Sequence, residues 1–464
     1  MVAVPILLTI EDTPDVVRSA RSVAMGTVPK GAPSFTANVA RILQAQTKGA
    51  LRTLRIDPDF APVPLLSGAA SQQFGMAPIT SKIGPTAYVV RGTIDDSEID
   101  NTKQVLTQTQ EPRIFIDPAI GLSPTCGGDP PIGDTIEVRK HIGVGRLRRL
   151  GMDGTRTAVA IVDNGINLQA LRAKGLNPSL DAAASWSPRT GISPGAAPLD
   201  HGTMCAYDVM IGAPQATLLD CSVLQSTRSG GSVMNGLLSD AVIAYGKLLT
   251  LLSLTEEERD FKTLVVNNSW GMYSWSWDFP RGHPGRYGDN PKHPFNRQVT
   301  SLCNAGADIL FAAGNCGLAC PDSRCDVPPL TPIINGANSH PDVITVAGVD
   351  TNWDLVGYSS RGPGALHTEK PDIAAFTHFL GSEAFGINSP DSGTSAACAV
   401  MSGIVAALRS RFPFELGSPQ RNPGSIKQFI LSCARRSPGA AGWAPDIGHG
   451  IVDTHGFISP FNIL

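Results

Sequence analysis

From about residue 137 onward the chain alternates short, almost unbroken apolar runs with longer segments of helical period. The runs are TAVAIVD (157–163), ATLLDCSV (216–223), KTLVVNN (262–268), ADILFAA (307–313) and DVITVAGV (342–349). They are rich in Val, Ile, Leu and Ala and lack polar alternation, which predicts strands buried on both faces. SVMNGLLSDAVIAYGKLLTLL and NRQVTSLCNAG, between them, predict helices. The pattern therefore predicts an α/β domain over residues 137–464, with a doubly wound, mostly parallel sheet.

The front of the chain reads differently. TAYVVRGTID, DSEIDNTKQVLTQ and RIFIDP predict strand, helix and strand, so residues 1–117 are expected to form a smaller α+β segment. MVAVPILLTIEDTPDVV reads as a strand and a turn, and SFTANVARILQAQTKG as a helix capped by Ser34. PAIGLSPTCGGDPPIGD is rich in Pro and Gly, which makes residues 118–136 the expected linker. No repeat of fixed period is present.

Composition narrows the function classes. The 464 residues carry a net charge of −3, dispersed rather than blocked, so neither nucleic acid nor an anionic membrane is an expected partner. The first residues lack a basic stretch and a small-residue cleavage pattern, and no apolar run reads as a bilayer span. An intracellular, cytoplasmic location is the expectation. The nine cysteines cannot all pair within one chain. Cys205, Cys303, Cys398 and Cys433 sit in apolar segments and read as small buried hydrophobes. Cys316, Cys320 and Cys325, in NCGLACPDSRCDVPP, read as a loop disulfide or as reduced thiols. Zinc wants four ligands, and this spacing resembles no common finger.

In an open parallel sheet, functional groups gather at the carboxyl ends of strands. Those ends deliver Asp163 in AIVDNGI, Ser269-Trp270-Gly271 after LVVNN, and Asn315 after ILFAAG. His201 opens a helix in LDHGTMCAYDVM, and Ser395 opens another in DSGTSAACAVMSG. Taken singly, each is ordinary turn or capping chemistry. Together they supply nucleophile, base, orienting acid and oxyanion donor. A serine hydroxyl needs an adjacent base, which His201 can be, and a carboxylate such as Asp163 fixes the imidazole tautomer. The Ser395 N–H at a helix start and the Asn315 amide are donors for a tetrahedral oxyanion.

The order Asp, His, Asn, Ser, in VAIVDNGI, DHGTMCA, AAGN and SGTSAA, resembles the subtilisin family of serine peptidases. NNSWG, VITVAGV, YSSRGP and KPDIAA agree, and the resemblance covers roughly residues 137–460. It implies a serine endopeptidase working through an acyl-enzyme. Ser395 would be the nucleophile, His201 the general base and acid, Asp163 the group orienting His201, and Asn315 the oxyanion donor. It implies further that Ser269, Trp270 and Gly271 bind the substrate as an extended strand, with Ala312, Ala313 and Gly314 walling the S1 pocket. The partner would be a protein or peptide. No cofactor is implied for the chemistry; calcium is frequent in the family, but no ordered Asp/Asn ladder places a site. Four departures stand out: Asn164 in place of Thr or Ser, Met204 where a second histidine is common, Cys205 as in the proteinase K branch, and no Pro-Gly after KPDIAA.

Family members often carry an N-terminal propeptide that occupies the cleft, and residues 86–116 are similar in pattern to part of one. The alternative function is thus a catalytically silent, peptide-binding chain or a zymogen held by its N-terminal segment. The aromatic-rich stretch 272–296 is the first candidate for a selectivity element. A nucleotide-binding protein would need its glycine turn after the first strand, whereas GVGRLRRLG precedes it. An α/β-hydrolase would need Gly-x-Ser-x-Gly and the order Ser, acid, His, neither of which is present.

Overall fold

The computed structural model describes residues 2–11, 51–65, 87–107, 113–121, 129–189, 191–224, 235–317, 325–326, 332–436 and 442–458. The helix expected after Ser34 and the thiol of Cys320 lie outside the described residues.

The front segment is built on one long strand, β1 (Ala3–Glu11), whose full length pairs antiparallel with β4 (Ala87–Asp95). Short strands β2 (Arg55–Ile56) and β3 (Val63–Leu65) join the far side of β4. Helix α1 (Ile99–Thr107) then leads to β5 (Ile114–Ile116), which pairs with the free side of β1. The expected strand, helix and strand are therefore present. The next strand, β6 (Ala119–Gly121), falls inside the stretch expected to be linker.

Beyond it, Asp134 caps α2 (Thr135–His141) through a reciprocal capping box with Glu137. The central sheet follows: β7 (Thr157–Val162), β8 (Ser179–Leu180), β9 (Thr217–Cys221), β11 (Thr263–Asn268), β12 (Asp308–Ala312), β13 (Ile344–Val349) and β14 (Ile373–Phe376). Their order is β14-β13-β12-β11-β7-β9-β8, and every pairing is parallel. The strand order reverses beside β7, which marks where the carboxyl ends open onto a crevice. All five predicted strands are found. Residues Asn235–Leu237, expected to begin a helix, instead form β10, because they pair with β6; the helix α4 (Leu238–Leu252) starts after them.

Each face of β7 feeds a different core. Ala158, Ala160 and Val162 join one cluster with Tyr245, Leu248, Phe295 and Val299, from α4 and from α5 (Pro294–Asn304). Ile6, Leu8, Phe115 and Ile120 belong to that same cluster, so the front sheet shares its core with the central domain. On the other face, Val159 and Ile161 pack with α3 (His201–Gly212) and α6 (Gly393–Arg411). The α6 helix is long and apolar enough, by length and composition alone, to cross a membrane. It runs through the interior instead, with 94% of its most apolar window buried.

Candidate active site

Asp163 follows β7 directly and is fully buried. The chain turns sharply after it through Asn164 and Gly165, whose φ of 113° suits glycine. The head of α3 closes onto this turn. Asp200 caps the helix by accepting from the His201 N–H (2.8 Å), and the Gly202 N–H donates to Asn164 Oδ1 (2.8 Å). A Cβ at Gly202 would sit 2.4 Å from the Gly165 carbonyl, so only glycine permits the approach. The result places His201 Nδ1 3.0 Å from both carboxylate oxygens of Asp163.

Cys205, one turn further along α3, has its sulfur 3.7 Å from Asp163 Oδ2 and from His201 Nδ1. Burial, with the Asp163 charge adding to it, pushes this thiol well above the usual cysteine range, so it stays protonated. Asp163, His201 and Cys205 are the one group of three potential metal ligands among the described residues. Its mixed N, O and S donors are unlike the all-oxygen set that calcium takes.

Ser395 is the third residue of α6, and its hydroxyl donates to the Ser269 carbonyl at 3.2 Å. Ser269 Oγ returns a bond of 3.2 Å to the Ser395 carbonyl. Among the described residues, no hydrogen bond joins Ser395 to His201. Their helices nevertheless touch backbone to backbone: a Cβ on Gly403 of α6 would lie 2.3 Å from the Val209 carbonyl of α3. Asn315 follows β12 through Gly314, whose φ is 99°. Its Oδ1 accepts from the Thr394 N–H (2.9 Å) and Thr394 Oγ1 (3.0 Å), so only the NH2 end of the amide can donate. Asn315 is thereby tied to the residue just before Ser395. Asp163 and His201 are in direct contact, and Ser395 and Asn315 meet through Thr394.

The residues expected to bind substrate form one wall. Trp270 is buried against Phe295 and Phe311, and its carbonyl accepts from Asn338 Nδ2, which also bonds the Ala312 carbonyl. Ala313 donates to Val346, extending the strand line toward Gly314. Gly271 does not face an open groove. Gly121 of β6 donates to its carbonyl (3.1 Å) and accepts from its N–H (3.2 Å), while β10 pairs with the other edge of β6. The chain's own Ala119-Ile120-Gly121 thus lies as the middle strand between β10 and Gly271. Ile120 is completely buried there, which is why a Pro/Gly-rich stretch holds a strand.

The stretch 272–296 mainly clasps the front sheet. Ile116 N–H donates to the Gly285 carbonyl (2.9 Å), His293 Nε2 bonds the Ile116 carbonyl (2.9 Å), and His283 Nε2 bonds Thr102 Oγ1 (2.9 Å). Tyr273, at its start, reaches strand β6, its hydroxyl donating to the Gly121 carbonyl. Cys316 is disulfide-bonded to Cys325, which decides between the two readings of that pair in favour of the bridge.

Three features escaped the sequence reading. Phe385, nearly half exposed, brings its ring to 6.3 Å from that of His201. Asp208 on α3 and Asp391, four residues before Ser395, are both buried, and the charge of Asp391 bears on Asp208. Ser382 donates to both oxygens of Asp391, through its N–H (2.6 Å) and its hydroxyl (2.5 Å). Among the described residues no donor reaches either oxygen of Asp208, so two carboxylates buried side by side are best accommodated by a proton kept on Asp208 and shared with Asp391. Burial, followed by the neighbouring Asp391, pushes Asp208 well above the usual carboxylate range, and burial lifts Asp391 to about 6.

A model of the subtilase family matches residues 154–450. The mouse membrane-bound transcription factor site-1 protease is 33% identical over 168 residues, covering 35% of this chain and 14% of that protein. The serine protease AprX of Bacillus subtilis is 26% identical over 269 residues, covering 50% of this chain and 51% of AprX. The matched regions therefore span well under two thirds of these relatives. The crystal structure of MycP1 from Mycobacterium smegmatis aligns over 73% of this chain and 89% of its own, at 19% identity and a TM-score of 0.43.

Proposed function

Because the chain belongs to the subtilase family, we propose that it is a serine endopeptidase whose nucleophile is Ser395. His201 Nε2 takes the Ser395 proton as Oγ attacks the peptide carbonyl carbon. The oxyanion is met by the Asn315 amide and the Ser395 N–H. Collapse breaks the C–N bond, and His201 returns the proton to the departing amine; water then repeats the sequence on the acyl-enzyme. Asp163 holds His201 by Nδ1, leaving Nε2 as the working nitrogen. The observation that carries the reading is the extended strand 119–121 pinned by backbone bonds between β10 and Gly271. A groove that already binds one peptide by its main chain is suited to binding others with little regard to sequence.

That same strand favours a second state of the same enzyme. With β6 in the groove and Ser395 Oγ directed at Ser269, the front segment holds the site silent until the segment leaves. The test is intact mass after treatment with a small fluorophosphonate. An adduct that is absent from Ser395→Ala supports the nucleophile. Slow labelling that accelerates once residues before 135 are cut away supports the silenced state. No adduct in either form overturns the enzymatic reading.

A further inference from the structure

The Gly121 carbonyl, at the end of strand β6, receives two hydrogen bonds. One is the main-chain N–H of Gly271 at 3.2 Å, and the other is the Tyr273 hydroxyl at 2.5 Å. A carbonyl oxygen has two lone pairs, so the pair of donors saturates it. The second donor comes from a side chain held firmly on its far side. Tyr273 is buried, packs with the Cys316–Cys325 bridge, and meets Trp277 edge-on with ring centres 6.2 Å apart. Its main chain is anchored just beyond the ring. Ser274 Oγ and the Trp275 N–H donate to the two carboxylate oxygens of Asp326, at 2.7 and 2.9 Å, next to Cys325. One ring edge also lies 3.9 Å from where a Cβ on Gly314 would be, beside the turn that carries Asn315.

We infer that Tyr273 is a substrate-binding residue whose hydroxyl grips the main-chain carbonyl of whichever peptide residue lies opposite Gly271. The inference rests on the proposed peptidase reading, with β6 occupying the place a substrate strand would take. Any peptide in that register presents a carbonyl at the same point, whatever its side chain. The hydroxyl therefore selects for length and extended conformation rather than for sequence. Substrates must continue far enough toward their N-terminus to reach Gly271, and short acyl compounds gain nothing from it. Because the tyrosine is fixed by the disulfide and by Asp326, the bond forms without ordering a mobile side chain.

The experiment compares full-length protein with Tyr273→Phe, which keeps the ring and removes only the hydroxyl. Two probes that label Ser395 are used: a small fluorophosphonate, and a peptidyl phosphonate whose acyl-side residues extend to Gly271. Loss of one hydrogen bond should lower the rate of peptidyl labelling relative to small-probe labelling by about three- to tenfold, because the front strand opens more readily to both probes while only the peptidyl probe loses a bond of its own. The small probe should label at least as fast as before, since the front strand loses the same bond. An equal change with both probes makes Tyr273 merely structural and overturns the inference. A small probe that labels while the peptidyl probe never does shows that no peptide binds in this register, and overturns it too. If neither probe labels Ser395, the peptidase reading fails and takes the inference with it.

Discussion

At the scale of single residues, the shared proton between Asp208 and Asp391 has the clearest consequence. Burial raises Asp391, and the Lys174 charge offsets only part of that. In the unfolded chain an aspartate loses its proton near 3.8, whereas folded Asp391 holds it to about 6, and Asp208 is likewise raised well above the usual carboxylate range. The folded state thus binds more protons across that window, and stability falls as pH rises through it. For Asp391 alone the fall is roughly 3 kcal/mol. Asp208→Asn offers a permanent amide donor and removes the second charge. Its melting temperature should change little from about pH 4 to 6.5 on this account, while the parent's contribution from the pair declines across that window. Parallel curves would show that no proton is shared. Asn315 carries a second residue-scale expectation. Asn315→Ala should lower kcat on the order of 10²–10³, the loss described for the oxyanion amide of subtilisin itself, with KM little changed.

At the scale of elements, what matters is the crossing of α3 and α6, which present His201 and Ser395 at neighbouring ends. Gly403 faces the Val209 carbonyl, and a Cβ on Gly212 would lie 2.9 Å from the Gly403 carbonyl carbon. Gly403→Ala must drive the helices apart, at a cost of about 1–3 kcal/mol. Labelling of Ser395 should fall with it. Gly145→Ala is the control, because its nearest neighbour is the Arg149 guanidinium at 3.8 Å. Equal melting temperatures for the two would refute close packing at Gly403. This scale also separates what the sequence discloses from what it hides. The central strands are legible because burial on both faces makes them continuous apolar runs, and Asp163 and Asn315 are legible because they end such strands. Strand β6 is hidden: its three residues owe their conformation to β10 and Gly271, distant in sequence, and nothing local distinguishes them from linker. Asp208 and Asp391 are hidden for the same reason, since each reads alone as an ordinary acid. Strand β14 is legible only as a family landmark, KPDIAA, because four residues are too few for periodicity to speak.

At the scale of the whole molecule, the front sheet and the peptidase domain meet across two histidines that have no part in the chemistry. His283 Nε2 donates to Thr102, whose own hydroxyl proton goes to the Ile99 carbonyl, and its Nδ1 accepts from the Gly285 N–H at 3.0 Å. His293 Nε2 donates to the Ile116 carbonyl, and its Nδ1 accepts from the Phe295 N–H at 3.3 Å. Both rings are therefore neutral by construction, since a proton on Nδ1 would point at a backbone N–H. Burial lowers His283 to about 4 and His293 to about 3, from 6.5 in the open chain. The contact is then at full strength above pH 6.5 and is lost progressively as pH falls toward those values, by up to about 1.4 kcal/mol per pH unit for each ring. Strand β6 is continuous with β5, so loosening this face also loosens the strand in the groove. Hydrogen exchange on Ser395→Ala, corrected for intrinsic rates, should show amides 114–121 and 283–287 losing protection between pH 6.5 and 4. Strand β7, buried in the centre of the sheet, should keep its protection over most of that range. In parallel, the small fluorophosphonate, scaled for its own pH-dependent reactivity, should reach Ser395 faster after brief acid exposure of the intact chain. Uniform loss of protection across both sheets would mean that acid unfolds the molecule as one unit. Unchanged protection at 114–121 would mean that the histidines serve only to pack the interface, and that something other than acid must lift the strand from the groove.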